Sequence, residues 1–262
     1  MKQTAIRAAF EASKILKENF GRITSTQIDL KRQFDFVTFV DKGAEKKIID
    51  VIRKEYPDHK FYAEESDKDE SGGYRWIIDP LDGTTNYIHG YPVYSVSIAL
   101  EYNKDIILGV IYDPSRDELF TAEKGRGAAL NDKPIRVSTV TDPALSLLTT
   151  GFPFRSKNYI EFYLESFKRL FHKVSGIRRI GSVALDFAYL ASGRCEGFWE
   201  IGLSPWDIAA GYLIVSEAGG LMTDFAGEDD PVWTGNVIAS NGHLQETIIE
   251  VVKDVFAGTI EK

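Results

Sequence analysis

Residues 75–90 read RWIIDPLDGTTNYIHG. An apolar, strand-like run, Trp76-Ile77-Ile78, stops at Asp79-Pro80, and Asp82, Gly83, Thr84, Thr85 and Asn86 follow. Two carboxylates at the end of a strand converge on one point if the chain turns between them, and Pro80 locks its own φ within that turn. Converging carboxylates repel unless they are protonated, paired with Lys or Arg, or bridged by a cation. Oxygen-only ligands of this kind suit Mg²⁺. Gly83 and Thr84 place backbone N–H groups at the start of the following turn or helix, where they can meet an anion, and Gly permits close approach of a phosphate. The combination points to metal-assisted phosphate chemistry. The same residues are also turn formers, so a plain strand-to-turn junction stays open at this point.

The rest of the chain sets bounds on both readings. With 262 residues it can bury a sizeable core in one or two domains. Apolar residues make up 44% and charged residues 27%, as in an ordinary globular protein. A net charge of −8 argues against nucleic acid as a partner, because non-specific affinity there rests on phosphate neutralisation. An acidic chain that takes an anionic substrate needs local compensation, such as metal ions or a helix N-terminus. The single cysteine, Cys195, excludes an intramolecular disulfide and is read as a small half-buried residue. The start, MKQTAIRAAFEASKILKENF, is amphipathic rather than signal-like, and no apolar run reaches spanning length, so a cytoplasmic location off the membrane is expected.

Ile6, Ala9, Phe10, Ile15, Leu16 and Phe20 share a helical face within 4–20, and Ala44, Ile48, Ile49 and Ile52 do so within 42–56. Strand-like runs follow at 60–63, 75–79, 93–102, 105–113 and 117–124, with Asn103-Lys104 as a hairpin link and GRGAALNDKPIRVS as a turn-rich tail. Further on, helical patterns at 158–172, 182–192, 206–218 and 243–256 alternate with short strands at 145–149, 195–200, 220–224 and 236–240. The pattern predicts mixed α/β layers in two domains, 1–143 and 144–262. Segments 66–73 and 226–232 read as surface loops.

Other acids admit two readings as well. Glu64-Glu65 ends KFYAEES and is followed by Asp67, Asp69 and Glu70, so a solvated acidic loop is one reading. Asp41 precedes a helical pattern and reads as a helix N-cap. Ser204-Pro205-Trp206-Asp207 reads as a capping box with Pro at the first helical position. Glu200, in GFWEIG, reads as a solvent-facing strand residue.

WIIDPLDGTTNY resembles the signature of the inositol monophosphatase family of magnesium-dependent, lithium-sensitive phosphatases. FDFVTFVDKGAEKKI, FYAEES and RRIGSVALDFAYLASGRCEGFWEIGLSPWDIAAGYLIVSEAGG resemble its other elements, in the expected order, from about residue 5 to 245. Two departures are visible: Ala63 stands where the family has Gly, and Tyr87 where it has Phe. The resemblance implies a layered α/β/α/β/α sandwich of the inositol monophosphatase and fructose-1,6-bisphosphatase type, a homodimer, and two to three Mg²⁺ per active site. By resemblance, Glu64, Asp79 and the Leu81 carbonyl hold one ion, Asp79, Asp82 and Asp207 hold a second, and a weaker third lies near Glu64. Thr84 and Asp41, with Glu64, orient the attacking water. The Gly83 and Thr84 amides hold the phosphate. Asp82, Gly181, Ser182, Val183, Glu200 and Asp207 contact the substrate. The implied reaction is hydrolysis of a small-molecule phosphate monoester, myo-inositol 1-phosphate first. Fructose 1,6-bisphosphate and 3′-phosphoadenosine 5′-phosphate are the alternatives, with Arg155, Lys157, Arg178, Arg179 and Arg194 as cations for a second phosphate. A different class is a protein-binding role in a transcription complex, using Arg178-Arg179 and the aromatics near 198–206.

Overall fold

The structure, a computed structural model, describes residues 1–259 apart from 33, 34, 67, 70, 71, 155, 229 and 230, and leaves aside the side chains of 25, 28, 30–32 and 35. In chain order the first half runs α1 (Lys2–Asn19), β1 (Ile28–Arg32), β2 (Asp35–Thr38), α2 (Phe39–Glu55), β3 (Lys60–Ala63), β4 (Tyr74–Asp82), α3 (Thr84–Ile88), β5 (Ser95–Tyr102), β6 (Asp105–Asp113), β7 (Glu118–Glu123), β8 (Ala128–Leu130) and β9 (Lys133–Ile135). The second half runs β10 (Leu147–Thr150), α4 (Ile160–Phe171), β11 (Gly176–Arg178), α5 (Val183–Ala191), β12 (Gly197–Glu200), α6 (Pro205–Glu217), β13 (Leu221–Thr223), α7 (Pro231–Thr234), β14 (Val237–Ser240) and α8 (Gln245–Val255).

Strands β3 to β9 form one sheet in sequence order, antiparallel except for the β3–β4 pair. The second sheet has the order β11-β10-β12-β14-β13, with β10 parallel to both its neighbours. The hairpin predicted at Asn103-Lys104 is present. Both residues sit at positive φ, 51° and 75°, as a two-residue turn between right-twisted strands requires.

Three apolar clusters define the layers. The first packs Ala5, Ala9, Leu16, Ile48 and Ile52 of α1 and α2 onto Trp76, Ile78 and Ile98 of the first sheet. The second places α5 and α6 between the sheets, joining Ile77 and Ile111 to Phe187, Ile214, Phe198 and Ala239. The third covers the far side of the second sheet with α4 and α8, through Tyr163, Trp199, Ile248 and Val252. The architecture is therefore α/β/α/β/α, as expected. Gly109 on β6 lets α6 lie close on the first sheet, since a Cβ there would meet the Ala210 carbonyl oxygen at 2.6 Å.

Several local readings change. Phe198 and Trp199 are fully buried between sheet and helices, so they are core and not surface. Cys195 is buried rather than half-buried, and burial pushes its thiol far above the ordinary range. Segment 226–232 includes the start of α7, with Pro231 and Val232 buried. Asp67, Glu70 and Arg155 lie outside the described residues. Among the described residues no helix is long and apolar enough to cross a membrane.

Candidate active site

A strictly alternating strand would point Asp79 and Asp82 to opposite faces, because they are three residues apart. The register of β4 against β5 resolves this. Asp79 pairs with Ser97 and Asp82 with Ser95, so three steps on β4 oppose two on β5. The extra residue is a bulge at Pro80-Leu81, where Pro80 has no N–H to give the ladder. Its effect on facing is direct. Leu81 joins Trp76 and Ile78 against α1 and α2, while Asp79 and Asp82 both turn toward the layer holding Ile77, α5 and α6.

Helix α6 delivers the third carboxylate. Asp207 is the third residue of its first turn and forms a capping box with Ser204, accepting the Ser204 N–H at 2.8 Å. Oxygens of Asp79, Asp82 and Asp207 lie within 4.8 Å of one another, and all three residues are buried. Burial is the main cause that raises the Asp79 carboxyl well above the usual range, and the charges of Glu64, Asp82 and Asp207 push it further. Asp82 is raised less far: burial and Glu64 act upward, while the Ser182 hydroxyl (2.5 Å) and the amides of Ala184 (2.8 Å) and Val183 (3.2 Å) hold its charge. A compact, all-oxygen, anionic donor set fits a hard divalent cation. Glu64 and Leu81 line the same cavity, of about 90 Å³, although Glu64 stands outside the tight group of three.

Beyond the bulge, Gly83 adopts φ 96° and opens the short helix α3. A side chain is doubly excluded there: the conformation is left-handed, and a Cβ would lie 2.9 Å from the Val93 carbonyl oxygen. Thr84 follows, and its hydroxyl lies 3.0 Å from the Leu81 carbonyl and 3.1 Å from Asp41 Oδ1. Asp41 is not the N-cap of α2. Thr38 takes that place with extended backbone angles, and Asp41 is the third residue of the box, its Oδ2 accepting the Thr38 N–H (2.8 Å) and hydroxyl (2.6 Å). Burial raises the Asp41 carboxyl and the Thr38 bonds lower it.

On the opposite wall, Gly181, Ser182 and Val183 approach Asp82, so the Ser182 hydroxyl and Val183 amide are engaged by its carboxylate. Glu200 is buried and lines the cavity, against the reading of a solvent-facing residue. Strand β12 is central, flanked by β10 and β14, with α5 and α8 covering its two faces. The Glu200 carboxyl rests on Gly151, where a Cβ would come within 2.0 Å of it. Of the cations considered for a second phosphate, Arg179 lines the cavity, while Lys157, Arg178 and Arg194 do not. Arg194 instead pairs with both oxygens of Glu118, at 2.7 and 2.6 Å.

Three further residues have no place among the candidates read from sequence. Asn86 Nδ2 donates to the carbonyls of Val93 and Ile180, both at 2.9 Å, and so ties α3 to the 180–183 turn. It lies within the decisive stretch, but its long-range partners carry no sequence signal. Asp186 lines the cavity from α5, raised well above the usual range by burial and by Glu200. Gly151 is visible in sequence only as a glycine.

A profile of the inositol monophosphatase family matches residues 1–256. The chain belongs to that family. The family is one of metal-binding phosphatases, and the donor set described above agrees with it. The chain is 44% identical over 264 residues to the Nus factor SuhB of Escherichia coli strain K12, covering 100% of this chain and 99% of that protein. It is 42% identical over 250 residues to the inositol-1-monophosphatase of Mesorhizobium japonicum, covering 95% and 94%. The crystal structure of the extragenic suppressor protein suhB from Bartonella henselae superposes with a TM-score of 0.92 at 43% identity, covering 96% of this chain and 97% of that one.

Proposed function

We propose that this family member hydrolyses a phosphate monoester of a polyol, myo-inositol 1-phosphate first, to the alcohol and inorganic phosphate in the presence of Mg²⁺. The observation that carries the reading is the convergence of Asp79, Asp82 and Asp207 on one cavity with the Asp41–Thr84 pair and Gly83. Glu64, Asp79 and the Leu81 carbonyl would hold one Mg²⁺, Asp79, Asp82 and Asp207 a second, and Glu64 would lie near a weaker third. Bound there, Mg²⁺ would neutralise phosphate charge and acidify a water.

The protein groups do the rest. The Thr84 hydroxyl hydrogen-bonds Asp41 Oδ1 and, with Glu64, aims the water at phosphorus. The water oxygen forms the new P–O bond, the ester P–O bond breaks on the opposite side, and the proton that the water gives up balances the one that the departing alcohol takes. The Gly83 and Thr84 amides hold phosphate oxygens. Asp82, Asp207, Gly181, Ser182, Val183 and Glu200 frame the alcohol. A monophosphate fits this wall better than a bisphosphate, since Arg179 is the cavity cation among the four described candidates. Phosphate release should fall by at least about a hundredfold in Asp82→Asn, as for other groups that act on developing charge. Wild-type turnover in that variant would refute the assignment. We also read the protein as a lithium-inhibited, cytoplasmic homodimer with its domain boundary near residue 143. A monomer mass by light scattering would refute the dimer.

A second reading, binding to a transcription complex, is supported by the name of the Escherichia coli relative. Partner capture that persists in Asp82→Asn, with negligible turnover of every phosphate ester by the wild type, would favour it over hydrolysis.

A further inference from the structure

Glu64 sits just past the end of β3, and Asp207 opens α6, so the relative placement of two proposed metal ligands depends on how the 60–69 segment meets α6. Rings and cations meet at that junction, beside the hydrogen bonds from the Glu64 N–H to the Ile78 carbonyl (3.2 Å) and from the Glu65 N–H to Glu45 Oε2 (2.8 Å). Tyr62, two residues before Glu64, lies 5.7 Å from the ring of Trp206, the residue before Asp207. The Lys68 ammonium is 4.4 Å from the Trp206 ring centroid and 5.9 Å from that of Tyr62. Lys68 also pairs with Tyr62 through an antiparallel bridge, which closes the turn that carries Glu64. Asp69 secures the base of that turn: its N–H donates to the Phe61 carbonyl and its carboxylate accepts the Phe61 N–H, both at 2.9 Å.

The far side of the stack is fixed independently. The Arg75 guanidinium lies 5.2 Å from Tyr62 and 4.8 Å from Trp233, and it is anchored by the buried Glu101 carboxylate at 3.0 Å. Trp206 lacks such an anchor. Its indole N–H is buried and makes no hydrogen bond among the described residues, so apolar packing and ring contacts set its pose. Lys68 is exposed, and its ammonium lies over the Trp206 ring face.

We propose that Lys68 is a positioning residue: by seating its ammonium on Trp206 it holds the Glu64 end of β3 against the Asp207 end of α6, and so sets the affinity of the site for Mg²⁺. This rests on the reading of Glu64 and Asp207 as metal ligands. The sign of the effect separates positioning from simple electrostatics. Removing a positive charge near a cation site should tighten Mg²⁺ binding, whereas removing a staple should weaken it.

The test is Mg²⁺ titration calorimetry on the full chain, comparing wild type, Lys68→Ala, Lys68→Arg and Glu64→Gln, with melting temperatures recorded alongside. A cation–ring contact at an exposed site predicts that Lys68→Ala weakens Mg²⁺ binding about two- to fivefold. Lys68→Arg should restore it, because a guanidinium stacks on a ring at least as well as an ammonium. Unchanged or tighter binding in Lys68→Ala, or a lower melting temperature with unchanged affinity, overturns the proposal. If Glu64→Gln binds Mg²⁺ as the wild type does, the ligand reading beneath it fails instead.

Discussion

Replacing Asp79 by Asn should make the metal-free protein more stable while removing its response to Mg²⁺. Asp79 is buried, and its carboxylate lies within 4.8 Å of both the Asp82 and Asp207 oxygens. At that separation and an effective dielectric of about 20, each like-charge pair costs on the order of 3 kcal/mol. Proton uptake and relaxation relieve much of this, so the expected gain for Asp79→Asn is ~1–3 kcal/mol, or roughly 3–10 °C in melting temperature for a chain of this size. The substitution keeps the local turn, because an Asn Oδ1 can still accept the Leu81 N–H that Asp79 Oδ1 accepts at 2.9 Å. The assay is chemical and thermal denaturation in chelator and then in excess Mg²⁺. The wild type should gain stability from the ion by mass action, and the variant should gain little. A variant less stable than wild type in chelator would refute the reasoning, because the carboxylates would then not be repelling one another.

The same cluster sets a pH dependence. Folded-state carboxyls raised above their unfolded values make the native chain bind more protons than the unfolded one, so metal-free stability should fall as pH rises above the ordinary carboxyl range. The fall should be shallower in Asp79→Asn, and equal slopes in denaturant midpoint would contradict this. Gly83→Ala places a side chain at φ 96° and against the Val93 carbonyl, so a loss of ~2 kcal/mol and of at least about tenfold in kcat/KM is expected. A wild-type melting temperature and rate would show that the turn tolerates a side chain. Asn86→Ala removes the donors to Val93 and Ile180, which should cost ~1–3 kcal/mol and lower phosphate release. Retention of both properties would mean that the 180–183 turn is held by other contacts.

Much of the site was legible because its acids do two jobs at once. The sequence offers Asp207 either as a capping-box residue or as a ligand, and the structure uses one carboxylate for both: it accepts the Ser204 N–H and it belongs to the cluster with Asp79 and Asp82. Asp41 divides its oxygens in the same way between Thr38 and Thr84. A carboxylate has about four lone-pair directions, so cap and site are not exclusive. The helices α1, α2, α6 and α8 were legible from spacing, as was the β5–β6 hairpin from its turn. The bulge at Pro80-Leu81 was not, because its consequence appears only once β5 supplies a register. Spacing alone left Glu200 as a solvent-facing residue, and only the family resemblance set it at the site, because alternation gives the parity of a strand but not whether its far face meets solvent or a second layer. Asn86 and Gly151 act on chain segments distant in sequence, and nothing local marks them.

The central claim is metal-dependent hydrolysis of a polyol monophosphate, and a steady-state substrate panel with phosphate detection tests it most directly. Initial rates would be measured for myo-inositol 1-phosphate, fructose 1,6-bisphosphate and 3′-phosphoadenosine 5′-phosphate, in Mg²⁺ and in chelator. The account predicts the highest kcat/KM for myo-inositol 1-phosphate and loss of turnover on chelation. Phosphate release that persists in chelator, or none from any of the three esters in Mg²⁺, would contradict it.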